Sequence, residues 1–151
     1  MLGPGLKIRD FHTEDLETLH EIDRICFPED MAFTRRDLLY YLGQTGSVTR
    51  IAEVSGVAAG FILGRMENGR RGRIFTLDVV PAERRCGIGF SLMEDFHRIL
   101  EKNKIHGVIL EVGTENLAAQ RLYKKMHYRF IEILPGYYNG DADAYRMMRI
   151  I

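Results

Sequence analysis

Between Leu77 and Phe96 the sequence reads LDVVPAERRCGIGFSLMEDF. A strand-like half passes into an amphipathic helix through a turn holding Arg84, Arg85, Cys86, Gly87, Ile88 and Gly89. The first N–H groups of a helix lack intrahelical partners and carry partial positive charge. Glycine backbone ahead of them clears the approach, so such a turn can cradle an anion. Gly87 and Gly89 remove side chains, and Arg84 and Arg85 add positive charge at the rim. The turn therefore suits a phosphorylated ligand. Neither GxxxxGK[ST] nor GxGxxG occurs, so it is not a triphosphate P-loop or a dinucleotide fingerprint. Tight helix–strand packing is the structural alternative for the same two glycines.

Other chemistries find less support. Cys26 and Cys86 share no metal or redox spacing, and the five histidines form no ligand pattern, so no metal is expected. Twenty-one basic side chains balance 21 acidic ones. That argues against a general nucleic-acid binder, which carries a basic excess. No apolar run approaches the ~18 residues of a membrane helix. MLGPGLKIRDF shows no signal-peptide pattern, so no membrane association and a cytoplasmic location are expected.

The elements that must position this turn follow from periodicity. The chain of 151 residues, 46% apolar, suits one domain over 1–151. LKIRDF reads as a strand. Leu16, Leu19, Ile22, Ile25 and Cys26 then recur at helical spacing, with Thr13 as N-cap and Pro28 as terminator. Thr34 caps a second short helix. SVTRIAEV and VAAGFILGRM form a hairpin around Ser55-Gly56, and ENGRRGR is a second hairpin loop whose Arg70, Arg71 and Arg73 sit at a solvated tip. IFTLDVV is a strand, and Gly89 to Lys102 a helix with Leu92, Met93, Phe96, Ile99 and Leu100 on one face. GVILEV is a buried strand. TENLAAQRLYKKM is a helix with Leu117, Leu122 and Met126 inward. YRFIEIL and AYRMMRII close the chain around a turn-rich PGYYNGDAD. The order β-α-α-β-β-β-α-β-α-β-β gives an α+β domain with one sheet covered by helices.

Two stretches resemble the Gcn5-related N-acetyltransferase (GNAT) family. RRCGIG resembles its R/Q-x-x-G-x-G/A signature, and ENLAAQRLYKKMHYRF resembles its second signature helix, with Asn116, Ala119, Leu122 and Tyr123 in register. LEVGTEN, PGYYNGDADAYRMM and FPED resemble the protein N-terminal acetyltransferases within it, including the ribosomal-protein-alanine type. The resemblance covers essentially the whole chain. It implies the GNAT fold: a mixed, mostly antiparallel sheet of about seven strands, flanked by about four helices and splayed between strands 4 and 5.

The resemblance also implies roles. Backbone amides of Arg85, Cys86, Gly87, Ile88 and Gly89, with Arg84, would hold the pyrophosphate of acetyl-CoA. Leu77, Asp78 and Val79 would offer open backbone to the pantetheine arm, and the N–H near Val79 would polarise the thioester carbonyl. Tyr123 would be the acid for the leaving thiolate and would also lie against the cofactor. Its structural alternative is a core aromatic. Glu111 would be the base, directly or through water, with Glu29 as the rival that binds or deprotonates the amine. Each could instead be an ordinary polar residue. Asn116 is a helix cap by the local reading and contacts cofactor or catalytic water by the family reading. Phe27, Glu29, Tyr137 and Tyr138 would line the peptide site.

Two residues depart from the family pattern. Gly113 replaces an arginine, and His127 replaces a glycine, which asks for an irregular backbone there. The acceptor expected is a protein or peptide α-amine. With a pKa of ~8 it is neutral in roughly one molecule in ten at pH 7, against about one in a few thousand for a lysine. A small amine or polyamine acceptor, and a non-catalytic acyl-CoA-binding module, are the competing readings.

Overall fold

The computed structural model describes residues 5–68 and 70–151. Residues 1–4 of the MLGPGLKIRDF stretch and Gly69 of the second hairpin loop lie outside the described residues. The elements are β1 (Leu6–Asp10), α1 (Leu16–Cys26), α2 (Arg35–Leu42), β2 (Ser47–Val54), β3 (Val57–Glu67), β4 (Arg71–Val79), α3 (Ile88–Lys102), β5 (Gly107–Gly113), α4 (Leu117–Lys125), β6 (Arg129–Tyr138) and β7 (Ala142–Ile150). They form one seven-stranded sheet in the order β1-β2-β3-β4-β5-β7-β6. Among the described residues only β4 and β5 pair in parallel, and the other neighbours are antiparallel. This is the GNAT fold class that the motifs imply.

Strand alternation sends side chains to two cores. Ala52 and Ile62 join Leu92, Met93, Phe96 and Leu100 of α3 on one face. Their neighbours Ile51 and Phe61 join Leu19 and Ile22 of α1 and Leu38 of α2 on the other. Burial of such aliphatic side chains contributes about 1.5–3 kcal/mol each. Among the described residues, no helix is long and apolar enough to cross a membrane.

Several local expectations change. Thr13 does not cap α1. Thr13–Asp15 form a 3₁₀ turn instead, closed by the His12 N–H donating to Asp15 Oδ2 at 2.8 Å. Ile25 and Leu117 keep the helical period yet are 54% and 57% exposed, because the apolar stripe is narrower than the run of apolar residues. β4 starts at Arg71, so Arg71 and Arg73 belong to a strand and not to a loop tip. β6 runs on to Tyr138, which pairs with Ala142, leaving a turn of only three residues, Asn139 to Asp141. Thr34 caps α2 as expected, accepting from the Asp37 N–H at 3.0 Å.

Candidate active site

The sheet opens at one place. β4 and β5 pair from Arg71↔Gly107 to Ile74↔Leu110 and then part. Each stays paired to its outer neighbour, β4 with β3 up to Val79↔Gly60 and β5 with β7 up to Gly113↔Ala144. The strands therefore diverge as ordered ribbons and leave a gap. Val80 donates to Ala59 O at 2.9 Å. Antiparallel alternation then turns the backbone groups of Leu77 and Val79 away from β3, into the gap. The carbonyl of Val79 is already engaged. It accepts from Arg84 Nε at 2.8 Å and from Cys26 Sγ at 3.4 Å. Of the groups expected to be open, that one is covered by the chain's own side chains.

The turn into α3 ends at one rim of the gap. Arg85 and Gly87 have φ of +64° and +82°. Gly87 is the N-cap and supplies no side-chain acceptor, and no acid sits in the first turn. The first helical bond is Ser91 N–H to Gly87 O at 3.0 Å. Hence the N–H groups of Ile88, Gly89 and Phe90 precede the helical ladder. The two glycines serve different ends. A Cβ on Gly87 would meet nothing within 4 Å, so that position needs glycine for its φ and leaves clear space above the amides. A Cβ on Gly89 would stand 3.3 Å from Leu122 Cδ2, so Gly89 serves helix–helix packing. Arg85 and Cys86 are exposed at the rim, while the Arg84 guanidinium turns back to Val79.

α4 lies across the gap. Asn116 Oδ1 accepts from the Ala119 N–H at 3.2 Å, capping the helix. Tyr123 is buried, and burial, then Asp78 and Tyr138, push its phenol well above its ordinary value. Its proton therefore stays in place throughout the physiological range. His127 takes φ +70°, the left-handed backbone that its place in the motif asks for.

The opposite wall is formed by the Phe27–Phe33 loop and the end of β6. Asn139 Nδ2 donates to Asp30 O at 2.5 Å, joining the two. A Cβ on Gly113 would contact Met31 and Tyr138 at 3.6 and 3.7 Å, so the missing side chain lets both close over β5. Tyr137 and Tyr138 stand edge to face, 5.0 Å apart at 90°. The Tyr137 hydroxyl donates to Glu111 Oε1 at 3.3 Å. The Glu111 side chain is only 6% exposed and lies between two arginines. Arg73 Nη1 reaches Oε1 at 2.7 Å and Arg146 Nε reaches Oε2 at 2.9 Å. Glu29 is exposed in its loop.

The sequence pattern of the Acetyltransferase (GNAT) family matches residues 16–128. The chain belongs to the GNAT acetyltransferase family. It is 32% identical over 143 residues to an uncharacterized N-acetyltransferase of Methanocaldococcus jannaschii, covering 94% of this chain and 90% of that protein. It is 28% identical over 157 residues to the N-alpha-acetyltransferase of Sulfurisphaera tokodaii, covering 96% and 93%. The crystal structure of Ard1 from Thermoplasma volcanium superposes with a TM-score of 0.91 at 31% identity, covering 97% of this chain and 98% of that one. The chain is accordingly an N-acetyltransferase, and its resemblance is to protein N-terminal acetyltransferases.

Within this GNAT gap the structure brings Val79, Tyr123, Glu111, Tyr137 and Tyr138 around one opening, with the Gly87–Gly89 turn at its rim. Phe27 and Glu29 lie in the loop of the facing wall. Four participants escape a reading of the sequence. Arg73 and Arg146 look like surface charges until β4, β5 and β7 are laid side by side. Gln120 is buried and donates to the carbonyls of Gly113 and Thr114, both at 3.0 Å, fixing the strand-to-helix turn. Asp23 lies on the buried face of α1. A charged residue on an apolar stripe is the one signal that marks it in advance.

Proposed function

We propose that this enzyme transfers the acetyl group of acetyl-CoA to the N-terminal α-amine of a protein or peptide. The observation that carries the reading is the convergence on one gap of an uncapped helix N-terminus and a wall bearing an edge-to-face tyrosine pair. The free amides of α3 suit the donor's pyrophosphate. The backbone of Leu77 and Val79 suits its amide-bearing arm. The wall formed by the Phe27–Phe33 loop, Tyr137 and Tyr138 suits an extended peptide end.

The amine nitrogen attacks the thioester carbon, and the C=O π pair moves to oxygen. The Val79 N–H stabilises that oxyanion. Collapse breaks the C–S bond, and the electron pair leaves on sulfur. Tyr123, with its raised pKa, is a stronger hydrogen-bond donor to the departing thiolate than a proton source. The thiolate takes its proton from solvent as it leaves. The proton on nitrogen goes to Glu111, directly, through water or through the Tyr137 hydroxyl. Oε1 of Glu111 already accepts from Arg73 and Tyr137, while Oε2 accepts from Arg146 alone, so a lone pair remains at Oε2. Glu29 is the rival group.

A thiol-release assay with acetyl-CoA against N-terminal peptides, lysine peptides and polyamines tests the reading. Turnover with N-terminal peptides is expected, and turnover with polyamines alone would replace the acceptor. Glu111→Gln and Glu29→Gln separate the bases. Loss of the acidic limb of the kcat/KM profile in one variant identifies the group that takes the proton.

A further inference from the structure

Beneath the gap lie two carboxyl groups that the reaction does not use. Asp23 of α1 and Asp78 of β4 are each 1% exposed. Their carboxyl groups lie close enough to act on each other. Each has one oxygen served by a neighbour. Asp23 Oδ2 accepts from the Phe33 N–H at 2.6 Å, and Asp78 Oδ1 accepts from the Thr76 hydroxyl. The remaining oxygens, Asp23 Oδ1 and Asp78 Oδ2, are buried and receive no donor from any other described residue. Two touching carboxylates without a donor between them repel strongly, and a single proton between them removes both faults.

We propose that Asp23 and Asp78 share one proton, Asp78 donating through its hydroxyl to Asp23 Oδ1, and that this bond clamps the acceptor loop to the donor strand. The pair is a positioning device, and this role rests on the acceptor reading above. Asp23 holds Phe33, the end of the loop that walls the acceptor groove. Asp78 stands between Leu77 and Val79, whose backbone faces the donor. One hydrogen bond therefore sets the distance between nucleophile and thioester.

The other groups around the pair agree with a neutral Asp78. Arg84 weakly favours its charge, but the Arg84 guanidinium is committed to the Val79 carbonyl. Cys26 stays a thiol, its pKa pushed up to about 11, chiefly by burial. Tyr123 is also neutral. Burial first, then Asp23, holds Asp78 well above the usual carboxylate value of 3.8. The folded value is the raised one. The clamp's stabilisation is therefore complete below about pH 4 and is lost as pH rises through that raised value.

Infrared spectroscopy of the free protein is the first test. A protonated-carboxyl C=O band is expected at neutral pH, titrating away at higher pH and absent from Asp78→Asn. Its absence from the wild type would overturn the proposal. The second test is kinetic. Asp23→Ala should raise the peptide KM about tenfold, the worth of one hydrogen bond to a charged group, with acetyl-CoA affinity within about twofold. Asp78→Asn keeps a donor but cannot titrate. The ratio of wild-type to Asp78→Asn peptide KM should therefore climb with pH, with amine ionisation cancelling in the ratio. A flat ratio would overturn the clamp. If no peptide is an acceptor, the proposed function fails, while the infrared band still decides the shared proton.

Discussion

Two helices begin beside the gap, and they are finished in opposite ways. α4 starts at Asn116, whose side chain takes the N–H of Ala119. α3 starts at Gly87, which has no side chain to offer, and its first turn carries no acid. The unpaired donors of a helix start are satisfied by a cap, by water or by a ligand. α4 uses its own cap, so its N-terminus is a structural joint. α3 leaves three amides without a cap, so its N-terminus is the one proposed to receive the donor. The same contrast separates Gly87, which is needed for its backbone, from Gly89, which is needed for packing.

Substitutions at the two starts break or sharpen this contrast. Gly87→Val has the largest expected effect. A β-branched residue resists φ +82°, so the amides lose their alignment. Acetyl-CoA affinity by calorimetry should fall by about 100-fold or more, about 2.7 kcal/mol. Unchanged affinity would place the donor elsewhere. Tyr123→Phe comes next and asks what α4 contributes beyond its cap. Single-turnover rates should drop about 100-fold with acetyl-CoA affinity unaltered. An equal rate at every pH would remove Tyr123 from the chemistry. Asn116→Ala has the smallest effect. It should cost about 1 kcal/mol in urea unfolding and leave donor affinity within about twofold, while Asn116→Asp keeps the cap. A drop in affinity without a drop in stability would make Asn116 a donor contact and erase the contrast.

Element order was legible because it rests on local period: the spacing of Leu16, Leu19 and Ile22, the Ser55-Gly56 turn, the Thr34 cap. The misreadings are equally local. Arg71 and Arg73 beside glycines look like a loop, yet Arg73 is drawn into the sheet, where burial opposes its charge and Glu111 and Glu67 outweigh that and raise its pKa. Tyr137 and Tyr138 sit among Gly136, Asn139 and Gly140 and read as a turn, but pairing with β7 extends the strand through them. Within the candidate site, the position of the α3 turn and of Tyr123 on its helix was legible from motif spacing. The environment of Glu111 was not.

By itself the sequence determined the order of the elements, the uncapped start of α3 and the register of Tyr123 on α4, since each depends on residues a turn or two apart. Tertiary structure decided where β4 and β5 part, which groups surround Glu111 and that Asp23 meets Asp78. Arg73 and Arg146 lie 38 and 35 positions from Glu111, and no local period encodes a contact across that span. Such contacts exist only once sheet pairing has set the register, because a shift of one residue would turn each of these side chains to the other face.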